Sequence, residues 1–364
     1  MSRAWIVRGL IGLAALGTYL ACAAAALQTP PTTAPADPSP ATLPAGDLLP
    51  IRAVGMQLQR TDWIDRYKAS IDEIADLGAD AVKLVVDARQ EDGSSNVVYL
   101  DLRRTPSAEN LAEVIRHAKG RGLKVILMPI VLLDDGKGAW RGTLAPESWA
   151  KWFASYRDML GHFAWIADSN GVDVFVIGSE LLSSEAQDEE WTETIAFVRE
   201  RFGGLITYSS NWDHYHAVPF WDDLDLIGMN SYWTLGGGGN ATVGAITRNW
   251  QPIKDDLRAF VADHGKPLLF LEIGWTSLDN AASAPWDYTQ PDPINLDLQK
   301  RLYTAFFDVW HGTPWLGGYS VWEWPPGDGG PDDRGYTPEN KPAAEVLAEQ
   351  LRRPAWRVSV GGAD

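Results

Sequence analysis

The sequence predicts a (β/α)8 barrel forming one α/β domain, and three observations point there. Eight short runs rich in β-branched residues follow one another between residues 51 and 324. Amphipathic helical stretches separate almost all of them, which implies a parallel sheet with helical crossovers. Eight such units over roughly 300 residues match the expected size of a closed barrel. A doubly wound open sheet is the structural rival, but it wants a glycine-rich phosphate turn after its first strand, and Gln57-Leu58-Gln59-Arg60 contains no glycine.

The chain opens with Arg3, Arg8 and no acidic group across residues 1–27, followed by an apolar stretch from Gly9 to Leu27 broken only by Thr18, Tyr19 and Cys22. This reads as an export signal. Three endings stay open: cleavage at Ala21-Cys22-Ala23, lipid attachment at Cys22, or retention as a membrane anchor, since the stretch is just long enough to span a bilayer. Residues 28–50 hold seven prolines among Ala, Thr and Ser. Such a segment has nothing to bury and reads as an extended spacer. The expected strands are then 51–57, 81–86, 124–131, 174–181, 205–212, 224–232, 268–275 and 317–324. Helical spacing links Ile64, Tyr67, Ile71, Ile74 and Ala75, then Leu111, Val114, Ile115 and Ala118, and later Leu298, Leu302, Ala305, Phe306 and Val309. Only the connection at 213–223 is too short for a full helix. Residues 341–351 read as the closing helix, so the barrel spans 51–351 and residues 352–364 form a tail.

Composition narrows the function. Asp and Glu number 48 against 31 Lys and Arg, a formal net charge of −17, and such a surface repels phosphate backbones, which excludes nucleic acid as a partner. The single cysteine, Cys22, lies in the leader. Disulfides, cysteine-ligated zinc and a cysteine nucleophile are thereby excluded from the folded part. Seventeen of the 18 Trp lie beyond the leader. That number exceeds the needs of a core, and carbohydrate faces are an obvious use for flat side chains.

In a barrel, chemistry collects at the C-terminal ends of the strands. Glu180 closes the fourth run and Glu272 interrupts the otherwise apolar seventh, where a charge is costly without a purpose. Strict alternation puts Phe270 and Glu272 on one face and Leu269, Leu271 and Ile273 on the other; with the apolar trio turned toward the helices, Glu272 points into the barrel mouth. A lone strand-end Glu is equally well explained as the partner of a nearby Arg or Lys, whereas two in one barrel weaken that explanation.

These segments resemble the retaining glycoside hydrolases of the large (β/α)8 clan, and within it glycoside hydrolase family 113, the β-mannanases. The similarity is carried by AWRG (139–142), VDVFVIGSEL (172–181), ITYSSNWD (206–213), FWDDLDLIGMNSYW (220–233), LEIGW (271–275) and YTPENKPAAEVL (336–347). The resemblance implies Glu180 as acid/base and Glu272 as nucleophile, with no cofactor. It implies Tyr232 as the tyrosine bonded to the nucleophile and Trp322 as the aromatic platform under the reacting sugar, with Trp324 sharing that candidacy. Arg141, Asn211 and Trp275 are further candidates for substrate binding. Ser179 stands where many clan members carry an Asn that contacts the sugar 2-hydroxyl; either its hydroxyl or Asn211 would take that contact.

Four other features have competing readings. Lys83, inside the second strand, fits a Schiff-base lysine, but a strand lysine there more often neutralises neighbouring carboxylates. Asp213, His214 and His216 have a spacing compatible with a metal, against which stands the absence of a further ligand nearby in sequence. The loop 327–336 is rich in Asp and Gly yet lacks the alternation of a calcium loop. Gly236 to Gly239 read as a mobile loop over the mouth or an outer wall of the cleft. The expectation is an exported, periplasmic or extracellular, retaining β-glycosidase with a polysaccharide or oligosaccharide substrate, β-1,4-mannan first, tethered to the membrane if the leader is retained or lipidated. Another β-glycan, or a catalytically silent carbohydrate-binding barrel, are the alternatives.

Overall fold

The computed structural model describes residues 48–327 and 329–360; the export segment and nearly all of the proline-rich spacer lie outside the described residues. Eight parallel strands, β1 (Ile51–Gln57), β2 (Ala81–Gln90), β3 (Lys124–Leu133), β4 (Val174–Ser179), β5 (Leu205–Ser210), β6 (Leu226–Asn230), β7 (Leu268–Ile273) and β8 (Leu316–Val321), pair in chain order. The sheet closes because β1 pairs with both β2 and β8. Among the described residues seven helices cover it: α1 (Ile64–Leu77), α2 (Ala108–Gly120), α3 (Trp149–Ser169), α4 (Asp188–Arg199), α5 (Val243–His264), α6 (Leu296–Trp310) and α7 (Pro342–Arg352). The short β5–β6 connection holds two single 3-10 turns, Tyr215–Ala217 and Trp221–Asp223. The expected (β/α)8 barrel is thus the observed one.

The apolar residues divide into two layers. Ile51, Ala53, Ala81, Ile126, Val174, Leu205, Leu226 and Leu269 fill the barrel interior. A larger layer between strands and helices takes Tyr67, Ile71 and Ile74 of α1, Leu111, Val114 and Ile115 of α2, and Leu302 and Phe306 of α6. The helical spacing is therefore the record of that layer. It also absorbs part of the tryptophan excess: Trp152, Trp191, Trp221, Trp250, Trp275 and Trp310 are fully buried. Reading the excess as carbohydrate-facing was too generous, because α3, α5 and α6 use indoles as core filling.

Helix starts are fixed on the same side of the barrel as the strand ends. The side chains of Ser107, Ser148, Thr242 and Asn295 accept from the backbone N–H groups of Asn110, Lys151, Ala245 and Leu298, capping α2, α3, α5 and α6. Each such cap is worth about 1 kcal/mol and ties a loop of the mouth to a rigid helix. At the closing seam, Gly318 has φ 141°, and a Cβ there would lie 2.0 Å from the Ile51 carbonyl oxygen. Only glycine lets β8 approach β1 closely enough to pair.

The strands end differently from their sequence expectation. β2 and β3 continue past 86 and 131 as far as Gln90 and Leu133, with Val98–Tyr99 adding a short antiparallel pairing to β2. β4 to β7 stop two residues early, at Ser179, Ser210, Asn230 and Ile273. In that same region the register slips between Val176 and Ser179, between Met229 and Asn230, and between Phe270 and Ile273. These irregularities re-aim the side chains that follow them.

Candidate active site

Glu272 reaches the mouth by a route that strict alternation misassigns. Leu269 and Leu271 pack inside the barrel, whereas Phe270 faces the helices with its ring 4.8 Å from that of Trp310. Ile273 also lies in the helix-facing layer. Alternation therefore breaks between Leu271 and Ile273, at the register slip against β8, and the slip leaves Glu272 turned inward. Its Oε2 accepts from the Tyr232 hydroxyl at 2.8 Å, and the Lys83 ammonium lies 3.5 Å from Oε1. Lys83 is fully buried, donates to the Leu271 carbonyl at 2.6 Å and sits 4.7 Å from the centre of the Trp322 ring. Burial pushes this ammonium down, and the charge of Glu272 pulls the other way. Burial, reinforced by that carboxylate, pushes the Tyr232 phenol well up, so it stays a hydrogen-bond donor.

Glu180 stands just past β4 in a left-handed backbone conformation, φ 53°. For a residue with a Cβ this conformation costs roughly 1 kcal/mol. It is held by two backbone bonds: the Glu180 N–H donates to the Ser209 carbonyl at 2.9 Å, and the Leu181 N–H donates to the Tyr208 hydroxyl at 2.9 Å. The carboxyl group accepts from the Trp140 indole N–H at 2.9 Å and from the Asn230 amide, with the Arg141 guanidinium 3.0 Å away. Asn230 is itself held by the Ser209 hydroxyl at 2.8 Å.

Both glutamates line one cleft of about 580 Å3, together with Arg141, Asn211, Tyr232 and Trp322. These six expected residues are brought together. Two others are not on the cleft wall. Ser179 is buried behind Glu180, where its carbonyl and hydroxyl accept from Arg141 at 2.8 and 3.3 Å; it orients the arginine. Trp275 is fully buried against Tyr303 and Phe306 beneath the mouth, because the chain turns away after Ile273; its assignment to substrate is corrected to the core. Trp324 likewise points outward and donates to Glu73 at 2.9 Å, leaving Trp322 as the platform candidate.

Sequence reasoning passed over several cleft residues: Gln57, Trp140, Trp212, Trp286, Tyr288 and Tyr336 on the wall, and Asn230 against Glu180. Trp140 and Asn230 were within reach, since each sits in a segment already quoted, beside Arg141 and just before Tyr232. Trp286 and Tyr288 come from a long loop without periodicity and carried no signal. Glu323 was also missed. Burial, and then the neighbouring Glu272 charge, push its carboxyl up to about 7, and its nearest donor is the Gln57 amide at 3.5 Å.

The remaining features resolve in structural terms. Lys83 neutralises the carboxylate of Glu272, the commoner of its two readings. His214 and His216 turn to different partners, Glu185 at 2.5 Å and Asp256 at 3.1 Å. Among the described residues no group of three metal-ligating side chains converges. In the 327–336 loop, where residue 328 lies outside the described residues, Asp333 accepts from Lys341 at 2.7 Å. The glycine run is not on the cleft wall: the Gly239 carbonyl accepts from Arg301 at 2.8 Å and Asn295 at 3.2 Å, and Asp279 occupies the place a Cβ would take. At Gly239 the missing Cβ leaves room for the close approach of Asp279.

The sequence matches glycoside hydrolase family 113 over residues 53–338. Among solved structures the chain is similar to the β-mannanase of this family from Alicyclobacillus acidocaldarius in complex with ManMIm, at 32% identity and TM-score 0.78, covering 85% of this chain and 99% of that one. A second β-1,4-mannanase of the family is 27% identical, with TM-score 0.77 and coverage of 84% and 99%. The endo-β-1,4-mannanase from Thermotoga petrophila, 12% identical with TM-score 0.58 and coverage of 84% and 77%, shares the fold. A search of curated proteins gives no match. With the family match running through nearly the whole barrel, and a full-length structural relative at 32% identity, the chain belongs to glycoside hydrolase family 113 and is a glycoside hydrolase.

Proposed function

We propose that the protein is a retaining β-glycosidase that cleaves β-linked mannan by double displacement, with Glu272 as nucleophile and Glu180 as acid/base. The observation that carries this is the pair of strand-end glutamates in one cleft with separate sets of partners: Tyr232 and Lys83 on Glu272, and Trp140, Arg141 and Asn230 at Glu180. In the first step a Glu272 carboxylate oxygen bonds to the anomeric carbon as the glycosidic C–O bond breaks, and the Glu180 proton passes to the departing oxygen. In the second, Glu180 takes a proton from water, the water oxygen bonds to the anomeric carbon, and the ester to Glu272 breaks. Lys83 and the Tyr232 hydroxyl hold the carboxylate of Glu272 in place and stabilise its charge when it is released again. The indole of Trp322 offers its face to the C–H side of a sugar ring, and Arg141 and Asn211 reach hydroxyls at the rim.

The mannan preference rests on the two family relatives described as β-mannanases, since stacking and rim hydrogen bonds do not separate mannose from glucose. The expected result is faster cleavage of β-1,4-manno-oligosaccharides than of cello-oligosaccharides of equal length, with the first product formed as the β-anomer in an NMR time course. Equal or greater activity on glucans would move the substrate to another β-glycan. An inverted product would overturn the double displacement, and no turnover on any β-glycoside would leave a binding barrel. We further infer that the chain is exported, supported by Arg3, Arg8 and the apolar stretch after them; recovery of the protein in the cytoplasmic fraction of its host would refute this.

A further inference from the structure

Behind the site lies a polar chain that the reaction just described does not use. Glu185, 1% exposed, follows β4 by way of the single 3-10 turn Leu182–Ser184. Its Oε1 accepts from the Tyr208 hydroxyl at 2.7 Å, and its Oε2 lies 2.5 Å from Nδ1 of His214. Tyr208, fully buried on β5, is the group that accepts from the Leu181 N–H, and Leu181 directly follows Glu180. At the other end, His214 is part-exposed and belongs to the loop whose Asn211, Trp212 and Asp213 line the cleft. The exit loops of β4 and β5 are thus joined through one buried carboxylate.

A carboxylate is a costly connector, and burial pushes Glu185 up against the opposing pull of Tyr208 and His214. None of the three side chains lines the cleft, so none touches substrate. What they fix is the peptide between Glu180 and Leu181. With the Glu180 N–H held by Ser209 and the Leu181 N–H held by Tyr208, both backbone torsions of Glu180 are set, and its left-handed conformation persists. Losing the Leu181 anchor frees one of those torsions and lets the residue relax toward the right-handed regions, which swings the carboxyl group away from the leaving oxygen.

We propose that Tyr208, Glu185 and His214 are positioning residues that aim the Glu180 carboxyl for proton delivery. The proposal rests on Glu180 being the acid. Its consequence is a dependence on the leaving group. In Tyr208→Phe, kcat/KM for mannohexaose should fall about 10-fold or more, as a displacement near 1 Å suffices for such a loss. For 2,4-dinitrophenyl β-mannoside, whose departing phenolate needs no proton, it should fall less than about threefold. Glu185→Gln, which keeps an acceptor for Tyr208, should show a smaller gap of the same sign. His214→Gln, altered at the exposed end, gives the same reading should the buried variants not fold. An equal fall on both substrates, or none on either, overturns the relay. Glu180→Gln measured beside them separates the two ideas: a gap there with none in Tyr208→Phe rejects only the relay, while no gap in Glu180→Gln rejects the acid itself and the relay with it.

Discussion

The ionisable groups around Glu272 show how a barrel mouth can hold charge. Lys83 is fully buried, and its ammonium is sustained by the Leu271 carbonyl, the Trp322 face and Glu272. Glu323 has the opposite problem: burial and the Glu272 charge both favour its neutral form, pushing it up to about 7 from an ordinary value of 4.5. A carboxyl group raised in the folded state contributes its full stability below the unfolded value and loses it as pH rises through the folded one. The window here runs from about 4.5 to about 7, and the loss is on the order of 3 kcal/mol. Glu323→Gln should therefore melt close to the parent near pH 4 and increasingly above it from pH 5 to pH 8. A difference in melting temperature that stays constant over this range would show that Glu323 does not titrate there. At this scale the sequence was informative where position alone decides: Glu180 and Glu272 were legible as strand-end acids, and Tyr232 through its motif. Trp275 was misread because the turn after Ile273, invisible in the residue types, directs it downward.

Among the elements, the strands were legible in number and order, and their ends were not. β-Branched runs continue into residues such as Leu181, Tyr232 and Trp275 that no longer pair, so hydrophobicity overruns the ladder. The register slips at the ends of β4, β6 and β7 are set by neighbouring strands, which a single segment cannot report. Barrel closure is another pairwise property. It depends on Gly318, where a Cβ would fall within 2.0 Å of the Ile51 carbonyl. Gly318→Ala should force β1 and β8 apart and destabilise the protein by about 2 kcal/mol or more, read from urea unfolding. A variant with unaltered stability would mean that the seam tolerates a wider spacing. Since Trp322 and Glu323 follow β8 directly, activity should fall in parallel.

On the scale of the whole molecule, Leu48 already belongs to the described fold: its carbonyl accepts from Lys124, and the sheet closes between residues 51 and 321. A chain beginning at Leu48 should unfold in one transition within about 2 °C of the longer form and retain its turnover, checked by circular dichroism and by hydrolysis of mannohexaose. A loss of more than this would assign the leader or spacer a part in folding. The sequence by itself determined the eightfold alternation, the layer each helix would cover and the two acids at the mouth, because periodicity and strand-end position are local properties of the chain. Only the tertiary structure decided which way Glu272 faces, that Ser179 serves Arg141, and that Asn230 and Trp140 bond Glu180. Those contacts join segments tens of residues apart, and their geometry is fixed by register slips and loop turns that arise only when the strands are packed side by side.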